Sequence, residues 1–176
     1  MIQFNPLSIN AQDISNQGIL SAAATGLSDF ILHKGADVDR IFGISGINPE
    51  LLLSPTLSLQ LTNYCEVLEQ SAKLSHCDNF GLHYGQQFHP KALGLIGYIG
   101  LCSASLEDAL KNMTSHFNLH QKDTLCRMVE VNDAYRFDYQ VQHGAILSRR
   151  QDAALTVGMF MNVIREVLGI HYSPRE

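Results

Sequence analysis

Positive charge is scarce in this chain. Lysine and arginine number 12 against 17 acidic residues, a formal charge of −5, and the densest basic site is the pair Arg149-Arg150. A nucleic acid is met by clustered cations that displace its counterions, so this chain is not expected to hold DNA or RNA itself. Long hydrophobic runs are missing too. No stretch of 18 apolar residues occurs, so no membrane span is expected. The opening "MIQFNPLSIN" lacks the basic start, apolar run and small-residue cleavage site of an export signal. The cysteines, Cys65, Cys77, Cys102 and Cys126, form no CxxC pair. They are therefore expected to be reduced, mostly buried thiols of a cytoplasmic protein.

Signatures of catalysis and cofactor binding are also missing. There is no GxSxG nucleophile elbow. The segment "GLIGYIGLCSASLEDAL" (94–110) spaces its glycines GxxGxxG, whereas a dinucleotide loop needs GxGxxG and a Walker A loop needs a lysine after its last glycine. A phosphate cradle is not expected there. Neither an enzyme nor a bound cofactor is expected.

What is present is a core-forming composition. Hydrophobic residues make up 45% of the 176 residues and charged ones 16%, which suits one domain spanning 1–176. Between 16 and 33, Ile19, Leu20, Ala23, Leu27, Phe30 and Ile31 recur at helical spacing, and 36–43 reads as a second short helix. Asn48 is placed to cap a helix that opens on Pro49. A stripe of Leu57, Leu61, Tyr64, Leu68 and Ala72 predicts a helix over 57–76, and Asp78 a cap for the next one. "SLED" (105–108) is a capping box opening the helix that carries Leu106, Ala109, Leu110, Met113 and Phe117.

After residue 120 the period changes to two. "TLCRMVEV" (124–131) and "YRFDYQV" (135–141) read as strands joined by a tight turn at Asn132-Asp133-Ala134. A long helix covers 151–168, with Gly169 placed to end it in a left-handed conformation. The fold class is α+β: mostly helical, with a small antiparallel sheet, a hairpin at about 124–141, packed against helices.

The even glycines of 94–100 lie in an uncharged run. On a helix they would share a face and let another element, or a ligand, come close. Each lowers helix stability by about 1 kcal/mol relative to alanine, so close approach must offset that loss.

These motifs in order carry a resemblance. Phe80, Gly81, Leu82 and Gly85 of "FGLHYG", then Gly94, Gly97 and Tyr98, then "SLEDAL", "FDYQV" and "REVLG" resemble the N-terminal effector domain of an AraC-type transcription-regulator subfamily, an arabinose-binding-type domain. Ser105 stands where threonine is usual and Asp108 where glutamate is usual; both keep the cap chemistry. "GINPELL" (46–52) is similar to the family's early turn. The resemblance covers about residues 18–174. It implies a domain that binds a small-molecule effector, forms a homodimer, or both, and that reaches DNA through a C-terminal helix-turn-helix region which this chain does not contain. A ligand-free dimerisation module and a small metal- or haem-binding sensor remain alternatives. Helices with surplus apolar surface, 57–76 or 151–168, are the expected dimer faces.

For an effector pocket the candidates are Tyr98, Cys102, Phe117, Tyr139 and Met159, which join apolar surface to a few polar handles. Each would equally serve as plain core. Cys102, in an apolar stretch, is expected to be inert. Among the eight histidines, His116 and His120 in "HFNLH" stand four apart and could share a metal on one helix face. Phe117 occupies the place of the HExxH glutamate, and the pair reads as well as polar residues at a helix end. His76, Cys77 and His83 add further possible ligands, and His83 under apolar helices could hold haem iron.

Overall fold

The computed structural model describes residues 18–174. The export-signal reading and the first residues of the expected 16–33 helix lie outside that range. Among the described residues the α-helices are α1 (Leu27–His33), α2 (Val38–Ser45), α3 (Leu61–Leu74), α4 (Phe80–Gly85), α5 (Leu95–Leu101), α6 (Leu106–Ser115) and α7 (Arg150–Leu168). The strands form two antiparallel pairs: β1 (Ile19–Leu20) with β2 (Ser58–Leu59), and β3 (Thr124–Val131) with β4 (Ala134–Val141). This is the expected α+β architecture with helices dominant.

The hairpin follows its sequence pattern. Asn132 and Asp133 both take positive φ, 49° and 59°, as a two-residue turn matched to right-handed strand twist requires. The register pairs Met128 with Phe137 and Cys126 with Tyr139. Phe137 packs on Phe160 of α7, ring centroids 4.4 Å apart. Asn48 caps the turn Pro49–Leu53 by accepting from the Glu50 amide. Ser105 Oγ accepts from the Asp108 amide at 3.1 Å, and the Ser105 hydroxyl in turn donates to Asp108 Oδ2 at 2.8 Å, so the carboxylate meets the hydroxyl instead of the Ser105 amide.

Several helix boundaries differ from the periodicity. The 16–33 helix is broken: β1 leads into a 3-10 turn, Ser21–Ala24, and α1 starts only after Gly26, at φ +74°. The backbone before it is spent on distant partners, with Leu20 N–H on the His120 carbonyl, Ser21 N–H on Leu57 and Ala22 N–H on Pro55. For the same reason α3 begins at Leu61 rather than 57. The second helix runs 38–45, where Asp37 caps it through the Arg40 amide. Asp78 caps nothing with its side chain; its carbonyl accepts from Arg150 and Gln151 across the fold. Gly169 ends α7 at φ 91°, ψ 157°, an extended glycine conformation rather than the left-handed helical one.

One core joins the helices. Two fully buried tyrosines place their hydroxyls on the 3-10 turn and its exit: Tyr64 donates to Ala23 O at 2.9 Å and Tyr84 to Thr25 O at 2.9 Å. Phe80, Phe30, Tyr84 and Phe88 pack ring to ring in that order beside them, tilted, stacked and edge to face. Helices α4 and α7 meet backbone to backbone. A methyl group on Gly81 would overlap the Gln151 carbonyl, and one on Gly85 the Leu155 carbonyl. The glycines of 94–100 divide their work. Gly94 turns the chain at φ +61° before α5. Gly97 lies against the Pro90 carbonyl and Gly100 against the Met113 side chain. Backbone and a core side chain fill the space at Gly97 and Gly100, while the space around Gly94 is open.

Candidate functional site

Helix α7 enters the core with polar residues in its first turn. Gln151 spans two elements: its Oε1 accepts from Gly81 N–H at 2.8 Å, its Nε2 donates to Asp78 O at 2.9 Å, and its own amide donates to Glu69 of α3 at 3.0 Å. That clamp turns the neighbouring Asp152 inward, where it is 1% exposed. Its Oδ2 accepts from the Tyr139 hydroxyl at 2.6 Å, and that hydroxyl accepts from Gln121 Nε2 at 2.7 Å. Gln121 also donates to Thr124 Oγ1 at 3.0 Å. The Asp152 Oδ1 has no hydrogen-bond partner, nor has Nδ1 of buried His120.

Burial dominates the electrostatics. It pushes the Asp152 carboxyl up to about 6, against the Tyr139 hydrogen bond and the nearby Gln121 amide, while Glu69 adds to the rise. It holds the His120 imidazole down at about 4. None of the ion pairs among the described residues involves Asp152; they join Lys111 to Glu107 and Arg127 and Arg136 to Asp138 at the surface. A buried carboxyl with one open oxygen and no counter-cation is costly unless something supplies a partner.

A groove of about 440 Å³ opens between the end of α2, the start of α3 and the loop at 145–148. Ser45, Asn63, Cys65 and Glu66 line it with Ile146 and Leu147. Ser45 is buried and its hydroxyl is unpartnered. Cys65 belongs to both regions. It lines the groove, and after burial the nearby Asp152 and Glu69 carboxylates are what push its thiol up, with Arg149 opposing. A second groove, about 380 Å³, lies between the end of α4 and the C-terminal half of α7, lined by Phe88, His89, Asn162 and Arg165 among others.

Residues 35–176 match the family model of the N-terminal arabinose-binding domain of AraC transcription regulators. The chain belongs to that family. It is also similar to the ornithine utilization regulator of Pseudomonas aeruginosa, 26% identical over 98 residues, which covers 56% of this chain and 29% of that protein. The chain thus matches less than a third of that regulator's length.

In this AraC-type domain the five pocket candidates separate. Phe117 and Tyr139 meet edge to face, 5.7 Å apart, and Phe117 also meets Phe160 at 6.2 Å. Met159 is buried in the same core. Tyr98 is 53% exposed and Cys102 is exposed at the end of α5, so these two stand on the outer side of the domain. The expectation of mostly buried thiols holds fully only for Cys65; Cys77 and Cys126 are half-buried.

The histidine pair is corrected. Helix α6 ends at Ser115 and a 3-10 turn covers Phe117–Leu119, so His116 and His120 do not share a helix face. His116 is exposed, with its Nδ1 at 2.8 Å from the Asn112 carbonyl, as its reading as a helix-end residue expects. His83 is exposed, beside the Cys77 sulfur at 3.5 Å, and not under apolar helices as an axial haem ligand would need. Among the described residues no three His, Cys, Asp or Glu side chains converge as metal ligands.

Asp152, Gln121 and Ser45 were not among the candidates. The signal for Asp152 was present: it continues the stripe Leu155, Thr156, Met159, Val163, and a charge on an apolar stripe marks a buried polar role. Gln121 and Ser45 carried no such signal, because only chain crossings distant in sequence bury them.

Proposed function

We propose that this domain is the effector-sensing part of an AraC-type transcription regulator. A small molecule enters the groove at Ser45, Cys65 and Glu66, and the polar cluster behind Cys65 reads its presence. The observation that carries this is the open Oδ1 of Asp152, a buried carboxyl that ties the first turn of α7 to the β-hairpin through Tyr139. A ligand that alters this cluster changes the packing of α7 against β4, with Phe117 and Tyr139 as the apolar lever between them. Such a signal requires different affinity for two arrangements of the domain. The similar regulator is named for use of a small metabolite, which agrees with a small-molecule effector.

The same reading makes the domain a non-enzymatic, cytoplasmic module acting as a homodimer, whose DNA contacts come from a further region of the regulator. Val157, Val167 and Leu168 of α7 are exposed apolar residues available for self-association.

The test is a thermal-shift screen of soluble metabolites on the purified chain. A true effector raises the melting temperature with concentration, and Asp152→Asn or Ser45→Val weakens that response while the variant remains folded. A compound that stabilises parent and both variants equally does not use this site. A screen without any stabilising compound, on a chain that is a tight dimer, would replace the sensor reading with dimerisation alone.

A further inference from the structure

The lining of the 440 Å³ groove is one-sided in charge. Its charged residue is Glu66, held by Gln70 Nε2 on Oε1 at 2.7 Å. No lysine, arginine or histidine lines it. The remaining polar lining is Ser45, Thr62, Asn63, Cys65 and Ser148, oxygen-rich side chains except for the thiol and the Asn63 amide. The Asn63 Nδ2 is already spent on the Gly46 carbonyl at 3.0 Å. Ser45 lines the groove and is 5% exposed; its unpartnered hydroxyl has no accessible surface and lies behind the groove wall.

Behind Cys65 two more carboxylates, Asp152 and Glu69, act on the same thiol. The cation that opposes them, Arg149, has its guanidinium on the Val141 carbonyl, and Arg150 is held on Asp78 O at 2.9 Å. Arg149 keeps its charge on that neutral carbonyl, so Asp152 and Glu69 behind Cys65 and Glu66 in the lining stand as three carboxylates against one guanidinium, a negative balance beside the groove. Ile44, Ile146 and Leu147 add apolar surface to the lining, and Leu147 is almost wholly exposed.

Resting on the reading of this groove as the effector site, we infer that it takes a small organic cation: a protonated primary amine or guanidinium on a short aliphatic body. The charged head lies against Glu66, and the aliphatic part lies along Ile146 and Leu147. Anionic ligands are repelled by the carboxylates, and neutral ones leave the Glu66 charge without a counter-ion.

Four probes of one shape separate charge from fit: butylammonium, butylguanidinium, butanol and butyrate, titrated into the isotope-labelled chain and followed by backbone amide NMR. The two cations are expected to shift amides of 44–45, 62–66 and 145–148 saturably, and butanol and butyrate are not. Glu66→Gln, at a half-buried position, is expected to weaken cation binding about five- to tenfold, the loss of one charge-assisted contact, with an unchanged melting temperature. Equal or stronger shifts with butanol or butyrate overturn the cation class and leave the groove as a site. The absence of groove shifts with all four overturns both the class and the site. Undiminished cation binding by a folded Glu66→Gln chain overturns the placement of the charged head.

Discussion

Asp152 and His120 lie in one core and titrate with opposite consequences. His120 is held at about 4 by burial, below its ordinary 6.5. It stays neutral in the fold while the unfolded chain takes up a proton, so stability falls as pH drops from 6.5 towards 4. Asp152 is raised from 3.8 to about 6. Its contribution is fully present below 3.8 and is lost as pH rises through 6. Each is worth about 3 kcal/mol at most by linkage, and between pH 4 and 6 they oppose each other. Asp152→Asn is therefore expected to make stability fall more steeply on acidification through that window. His120→Gln is expected to flatten the fall. Urea unfolding at stepped pH reads both. A D152N profile that superimposes on the parent between pH 4 and 6 would show that the carboxyl is not perturbed. The sequence held half of this pair in view: Asp152 interrupts an apolar stripe, while the burial of His120 depends on Leu20 bonding to its carbonyl, a contact a hundred residues away in the chain.

At the scale of elements, the crossing of α4 and α7 is the most demanding packing in the fold. Gly85→Ala drives a methyl into the Leu155 carbonyl and is expected to cost about 2–3 kcal/mol, as overpacking in a filled core does. Gly144→Ala, with open space around it, is the matched control and is expected to shift stability by less than about 0.5 kcal/mol. Denaturant midpoints of the two variants make the comparison. The hairpin offers the reverse change. Asp133 holds φ 59°, which is strained for a side chain, so Asp133→Gly is expected to raise stability by about 0.5–1 kcal/mol; a loss on that substitution would mean the turn is not of the type described. Elements differ in how readable they are for one physical reason. The hairpin rests on a period of two and a two-residue turn, both local. The 16–33 segment has helical periodicity but gives its backbone hydrogen bonds to residues 55–59 and 120–122, and local pattern cannot report partners so far away. The same holds for the glycines of "FGLHYG", whose pattern was plain but whose partner carbonyls on α7 were not.

At the scale of the whole molecule, the polar cluster links elements far apart in the chain: Gln121 after α6, Tyr139 on β4 and Asp152 on α7. A ligand that binds the folded domain alone stabilises it by mass action, about 2.7 kcal/mol at a concentration one hundred times its dissociation constant. An effector in the groove is thus expected to raise the unfolding free energy of the parent by that amount. The same concentration should raise Ser45→Val measurably less, by calorimetry on both. Equal stabilisation of both chains would place the ligand elsewhere, the groove beside Asn162 and Arg165 being the first alternative.

By itself the sequence determined the class of fold, the hairpin and its turn, the caps at Asn48 and Ser105 and the kinship with AraC-type effector domains. These rest on periodicity, on local capping chemistry and on the order of short motifs. Tertiary structure alone decided which polar residues lose their water. It placed His120, Gln121 and Ser45 inside and left Tyr98 and Cys102 outside, because burial is set by which chain segments cross, and no local spacing encodes a crossing.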